Sequence, residues 1–458
     1  MRSDNPNRYE LMPNENSPGK KRRWLRRGLK LAGVVLIVMT LGLLFWLRHA
    51  LYHRFVRFPH EAAAWQALRA ERQPVTDNAG WHEYRGILHN HSHLSHDSEV
   101  AFADILKALE AARLDFICLS DHCVEGRGDF SRQWRGIHGG KLFIPGFEMK
   151  EGMMPFGVAS DVVLSNRTDS AILAKQIIAH GGVLFYAHPE EKRDWDRPEL
   201  TGMEIYNLHT DFKRYRDGLG GLAPELLLNL GRYPDHLYHM MFHRPIEFLQ
   251  RWDELNRTRH ITGIAANDCH QNVGIRGIYT SADTIRIEDT SPRTLKEIKL
   301  NWFTRPWARL VFGPLAPGRK LFAVQLDPYE RSARFVNTHL LARELSEPAI
   351  LDALRSGRVF IGFDAMADSS SFRWFAKDPT GSTVMGESRA FTLATRLHAR
   401  SPLPCRFTIV KDGRVVHQAD GRAVDWMPLG PGKYRVEAEL SVLEEWIPWV
   451  YANPIELR

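Results

Sequence analysis

An α/β fold built on parallel strands is the class this sequence predicts, and three observations predict it. From residue 86 onward, apolar runs of strand length alternate with stretches of helical periodicity. Several of those runs end in a histidine or a carboxylate, and in parallel α/β folds the strand C-termini share one face. After about residue 359 the pattern changes to alternating, turn-punctuated segments such as Arg406-Phe-Thr-Ile-Val410 and Tyr434-Arg-Val-Glu-Ala438, which predict a small antiparallel β-sandwich. The periodicity leaves open whether the parallel strands close into a barrel or form a doubly wound sheet.

With 458 residues, 44% hydrophobic and 25% charged, the chain has room for two or three globular domains. Residues 1–19 are polar and rich in Asn, Pro and Ser, which predicts a disordered segment; with the basic run Lys20–Arg27 they form a cytoplasmic tail, 1–28. From Leu29 to Leu47 the chain is apolar, broken only by Lys30, so 29–48 is expected to be a transmembrane helix. A cleaved signal peptide is the competing reading, but Arg48, His49 and Tyr52 follow where a small-x-small cleavage site would stand. Positive charge is denser before the apolar run than after it. The N-terminus is therefore expected in the cytoplasm and everything beyond about residue 50 outside it, which in a bacterium means the periplasmic face of the inner membrane.

The formal net charge of +7 owes much to residues 20–30, so it argues for membrane orientation and against a nucleic-acid partner. Four cysteines without a CxxC pair fit buried small hydrophobes better than a disulfide framework.

Next comes a helical stem, 49–84, with Glu61-Ala-Ala-Ala-Trp-Gln-Ala-Leu-Arg69 ending before Pro74 and Gly80. The main domain is expected over 85–345. Its strands are Gly86–His91, Asp115–Ser120, Lys141–Pro145, Val183–Ala187, Met203–Tyr206 and Ile261–Ala265, with helical pattern over Ile105–Arg113 and Ala171–His180. Residues 210–257 read as a mostly helical insertion, and 346–458 as the C-terminal β-rich domain.

Chemistry-bearing residues follow the strands. His89 and His91 end the first, with Asp97 in the turn after it. Asp121-His122 ends the next, Glu148 closes Ile144-Pro-Gly-Phe-Glu, His188 follows Val183–Ala187, and Asp268 and His270 follow the last. A single histidine at a strand end is usually structural, and His89–His96 alone could be a surface His-rich tract. Five strand ends of this type together predict a site for a borderline cation such as Zn, Mn or Fe. Asp121, beside His122, is expected to orient that ring. Arg127, Lys150, Arg193 and Arg276 lie near these positions in the sequence and are candidates for receiving an anionic substrate group.

In these residues the sequence resembles the PHP (polymerase and histidinol phosphatase) metallohydrolases. His89-Asn-His91-Ser-His-Leu-Ser-His-Asp97 is similar to the motif HxHTxxSxDG, with Ser92 for Thr and Ser98 for Gly. Ser120-Asp-His122, Gly146-Phe-Glu148, Ala187-His188-Pro and Asp268-Cys-His270 resemble the later motifs in order. The resemblance covers roughly residues 85–285. Beyond it, Ala353–Phe360 and Trp449–Ile455 look like the tail of the carbaryl-hydrolase-like group.

The resemblance implies a distorted (β/α)7 barrel with two or three divalent ions at the strand C-termini. His89, His91, Glu148 and Asp268 would hold one ion, and Glu148 would bridge to a second that His188 also binds. Asp97, His122 and His270 would hold a third. Glu148, Asp268 and His188 are the residues expected to carry catalysis. The family often supplies a further histidine shortly after the bridging glutamate. Here Gly152-Met-Met-Pro-Phe-Gly157 has none, which implies a thinly ligated second ion unless His138 or Glu151 substitutes. The expected activity is hydrolysis of a small-molecule ester, a phosphoester first, with a carboxylic ester or carbamate as the alternative. A non-catalytic, metal-stabilised binding protein is the reading from a different class.

Overall fold

The computed structural model of the protein describes residues 18–76, 80–216, 219–281, 283–289 and 294–458. The expected disorder of 1–19 falls almost wholly outside these residues. Two compact units are present, Met1–Pro59 with Gly220–Tyr233, and His60–Leu219 with Pro234–Arg458.

In the first unit a helix runs Pro18–Tyr52, so residues 18–28, expected as tail, are helical. Among the described residues one helix is long and apolar enough to cross a membrane, and a signal sequence has the same character. Its apolar side chains from Leu29 to Trp46 face outward, not into a core. Where the apolar run ends, Asn229 donates to the Ala50 carbonyl (3.1 Å) and Glu225 accepts from His53 (2.7 Å).

The second unit is mixed α/β with a large sheet. Seven of its strands position the site: β1 (His82–Asn90), β2 (Phe116–Cys118), β3 (Lys141–Ile144), β4 (Met153–Phe156), β5 (Val183–Tyr186), β6 (Gly202–Asn207) and β7 (Thr262–Cys269). Pairing runs β1–β2–β3 in parallel and passes to β4 through an antiparallel bridge, Gly146 opposite Phe156. It continues with β4–β5 antiparallel and β5–β6–β7 parallel, and β7 pairs in parallel with β1. Apolar side chains fill these strands because both faces are covered. The helix Phe102–Ala111 buries Phe102, Ile105, Ala108 and Leu109. The helix Ser170–Ala179 is capped by Asp169, which accepts from the Ala171 and Ile172 amides, and it buries Leu173, Ala174 and Ile177.

Two arrangements differ from expectation. Residues 152–157 contain β4, the one antiparallel strand of the seven, whose Met153, Met154 and Phe156 are fully buried. After His270 the chain leaves the large sheet for a separate antiparallel sheet of β8 (Gly274–Tyr279), β9 (Thr284–Asp289), β10 (Thr294–Lys299) and β11 (Lys320–Gln325), ordered β10–β9–β8–β11. The helix Thr304–Phe312 lies between β10 and β11 in the chain.

The C-terminal strands are antiparallel, as expected, except that Ser388–Arg389 pairs in parallel with Ile455–Leu457, and they continue the large sheet. Asn337–Ala342 pairs with β1, Val359–Gly362 pairs with it, and Glu445–Ala452 pairs with Val359–Gly362. Asn453 fastens the two parts: its side chain accepts from the Gly263 amide (2.8 Å) and donates to the Gly263 and Val359 carbonyls (2.9 Å each). Trp449 is core, donating to the Ala367 carbonyl.

Candidate metal centre

β1 delivers the first two imidazoles. Its pairing with β7 is regular at Leu88 opposite Ala266 and shifts before Asn90 opposite Cys269. His89 stands in that irregularity at φ 60°, so the two rings converge through a break in the strand and not through simple alternation. His188 (φ 49°) and Asp268 (φ 50°) are also left-handed. Non-glycine residues seldom adopt this region, and such strain concentrates where a side chain must be aimed.

The aim is inward. His89 Nε2 lies 3.3 Å from Glu148 Oε2 and 3.3 Å from Asp268 Oδ1. His91 Nε2 is 3.3 Å from Asp268 Oδ1 and 3.7 Å from Glu148 Oε2. His188 Nε2 is 3.5 Å from Glu148 Oε1 and 3.6 Å from Asp268 Oδ2. Asp97 Oδ2 lies 3.1 Å from His270 Nε2 and 3.3 Å from His122 Nε2, and His122 Nδ1 is 3.6 Å from Glu148 Oε2. Most of these separations are long for hydrogen bonds. They match two donors sharing a cation: ligand bonds of about 2.1 Å in tetrahedral array put the donors about 3.4 Å apart. His91 Nε2 and Asp268 Oδ1 are buried without a hydrogen-bond partner, as ligand atoms prepared for an ion would be.

The far side of most rings is held. His89 Nδ1 donates to Glu204 (2.5 Å) and His91 Nδ1 meets Ser95 Oγ (3.1 Å). His188 Nδ1 faces Glu190 (3.3 Å), and His270 Nδ1 donates to the Asp268 carbonyl (2.8 Å). Such partners set the tautomer and leave Nε2 for the metal. Burial would strip charge from these rings, but Asp268, Glu204 and Glu148 drive His89 well above its ordinary value. His188 rises to about 9 against the same burial, through Glu190 and Asp268. His91 drops to about 3, by burial and the neighbouring His270. Despite burial, the imidazoles hold Glu148, Asp268 and Asp97 well below the carboxylate range.

All eight sequence-predicted ligands come together. They form groups of donor atoms that could hold metal ions: His91, Asp97, His122 and His270; His89, His188 and Asp268; His89, His91 and Glu148. His188 thus reaches Asp268 as well as Glu148. The floor, His89, His91 and Asp268, is closed to solvent; Asp97 and His122 are part-exposed and form the open side.

Other expectations are corrected. Asp121 does not orient His122. It accepts from the Ser92 amide and hydroxyl (2.6 and 2.9 Å) and from Gln133 (2.7 Å), fixing the backbone after His91. His138 stacks on Trp134 and bonds the Arg135 carbonyl, and Glu151 accepts from Ser170, so neither substitutes in the second group. Of the anion candidates, Lys150 donates to Thr168, Arg193 to Ala187 and Glu191, and Arg276 to Glu288; Arg127 is exposed on a short strand. Arg193 and Arg276 are thus paired with carboxylates.

Sequence reasoning missed Glu204, Glu190, Asn207 and His209. Glu204 is wholly buried and also accepts from the His188 amide (2.9 Å) and from Asn207 (3.2 Å). A carboxylate inside the apolar run Met203–Tyr206 was the available signal. His209 forms a fourth group with Asp268 and His270.

No family model and no curated protein matches the chain. Among solved structures it is similar to a two-domain protein containing a predicted PHP-like metal-dependent phosphoesterase from Bacteroides vulgatus. Identity is 14% and the TM-score 0.36, over 84% of this chain and 98% of that one.

Proposed function

We propose that the protein is a membrane-anchored, metal-dependent phosphoesterase of the PHP type, with β1–β7 as its barrel. One observation carries the reading: eight side chains from five separate stretches of the chain present donor atoms 3.1–3.7 Å from their neighbours in a largely buried cluster. The strand pairing that returns from β7 to β1 supports the barrel.

His89, His91, Glu148 and Asp268 would hold one ion, Glu148 and His188 with Asp268 a second, and Asp97, His122 and His270 a third. Divalent cations there would supply activated water and Lewis-acid polarisation of a phosphoryl oxygen. Glu148 directs Oε2 to His89, His91 and His122 and Oε1 to His188, the placement of a bridging carboxylate. Two bridged cations suit in-line displacement at phosphorus, where the attacking and leaving oxygens both carry charge. The open side, between Asp97 and His122, would admit the ester. Lys20–Arg27 would stay cytoplasmic, and the second unit would lie outside.

The test is metal analysis of the purified full chain joined to a panel of phosphomonoesters, phosphodiesters, aryl carboxylic esters and carbamates. Phosphoester turnover lost by orders of magnitude in Glu148→Gln, with melting unchanged, is the expected result. Turnover of the carboxylic esters or carbamates alone would move the assignment to the alternative named by the tail resemblance. For orientation, a reporter active only outside the cytoplasm and fused after Arg458 should be active.

A further inference from the structure

The helix Thr304–Phe312 buries the wrong share of its apolar surface for a helix that ends at its own sheet. Ala308 is buried, and Phe312 packs against the cluster of Tyr279, Ile285 and Ala308 and stacks on Phe322. The opposite stripe faces outward. Phe303, Trp307, Leu310 and Val311 recur at i, i+4, i+7 and i+8, one face of a helix, and Leu310 is 75% exposed. Trp302, just before the helix, is 88% exposed. On the neighbouring strand β10, Leu295 and Ile298 are exposed as well.

Charge chooses the occupant. Among the described residues of the sheet and helix, 274–325, eight side chains are basic and four are acidic, and Arg305 pairs with Asp283 (3.0 Å); around the helix itself Lys296, Lys299, Arg309, Arg319 and Lys320 outnumber Glu297. Two tryptophans and a phenylalanine beside aliphatic residues, rimmed by Lys and Arg, have the chemistry of a helix lying in the headgroup zone of an anionic bilayer. At a protein–protein interface lysine is depleted relative to the rest of the surface, whereas Lys296, Lys299 and Lys320 lie around this face. We infer that the β8–β11 sheet and its helix form a docking surface for an anionic lipid bilayer, with Trp302, Phe303, Trp307, Leu310 and Val311 entering the interface. It is an attachment separate from the apolar helix Pro18–Tyr52. β8 starts four residues after His270, so docking would hold the rim of the metal cluster near the lipid surface.

The experiment uses the full chain in proteoliposomes of phosphatidylcholine mixed with phosphatidylglycerol. An environment-sensitive fluorophore is placed at Leu310→Cys and, as a control, at Lys107→Cys, and is challenged with spin-labelled quencher lipids. Labelled wild type sets the background from the native cysteines, three of which are buried. Quenching should be severalfold stronger at 310 than at 107. It should weaken in pure phosphatidylcholine, and adding Trp307→Glu with Val311→Glu should reduce it to the level at 107; these exposed positions leave folding intact. Equal quenching at both positions would overturn the inference. So would a label at 310 shielded only by another protein or by single-stranded oligonucleotide. Alkaline carbonate extraction separates this from failure of the anchor reading, because it strips peripheral contacts and leaves a spanning helix in place.

Discussion

At the scale of single residues, the centre depends as much on what stands behind the imidazoles as on the imidazoles themselves. Glu204 grips His89 from one carboxylate oxygen and the His188 backbone from the other, tying together two histidines from different strands. Glu204→Gln keeps the shape and removes the charge that raises ligand basicity. Metal affinity should fall about 10- to 100-fold, the usual cost of losing such a partner, while the melting temperature of the metal-free protein stays close to wild type. Competition with a fluorescent chelator measures the first and calorimetry the second. Unchanged affinity would reduce Glu204 to a packing group.

Elements decide where those residues can stand. β4 follows closely on Glu148 and supplies no ligand, because its side chains are committed to the core. Just before it, Gly152 has φ 68°, and its carbonyl accepts from the Ala187 amide (2.9 Å), immediately before His188. A Cβ at 152 would stand 2.4 Å from the Arg193 guanidinium, which donates to the Ala187 carbonyl (2.9 Å). Gly152→Ala should therefore cost about 1–2 kcal/mol from the left-handed backbone alone, read as a shift in the urea midpoint. It should also loosen the ion nearest His188, so mild chelation would strip the variant of one metal sooner than wild type. A variant as stable and as metal-retentive as wild type would show that this turn does not position His188.

Across the whole molecule, the C-terminal strands and the metal-bearing strands share one sheet, and a buried charge cluster lies where they meet. His339 on Asn337–Ala342 sits between Glu83 of β1 (2.9 Å) and Asp364 (2.9 Å). Burial opposes its charge, but the two carboxylates lift it to about 9. A folded value above the unfolded one, about 6.5, means that protonated His339 stabilises the fold fully below about pH 6.5, and this is lost as pH rises through 9. The stability gap between wild type and His339→Gln should be on the order of 3 kcal/mol near pH 6 and should shrink steadily up to pH 9. Denaturant titrations at several pH values would show it, and a gap independent of pH would refute it. Because Asn453 clasps β7 and Val359–Gly362 together, truncation after residue 345 should leave no folded metal site, as judged by metal content and circular dichroism.

Local chemistry was legible in the amino-acid sequence alone. The apolar helix, the histidines and carboxylates that follow strands, the helical character within 210–257 and the mostly antiparallel C-terminal segments each depend on neighbours a few residues apart, and periodicity reports such neighbours directly. Three things waited on tertiary structure. One is the pinning of the rings: His89 and Glu204 are 115 residues apart, and only the pairing of strands brings them to 2.5 Å. Another is the turning of Asp121 away from its neighbour His122 towards Ser92 and Gln133, a choice made by packing around it. The last is the apolar face of Thr304–Phe312. Its pattern is that of an ordinary core-facing helix, and only the sheet beneath it shows that the core contacts Ala308 and Phe312 and leaves Trp307 and Leu310 outside. Sequence pattern says which residues can bury, while long-range packing decides which of them do.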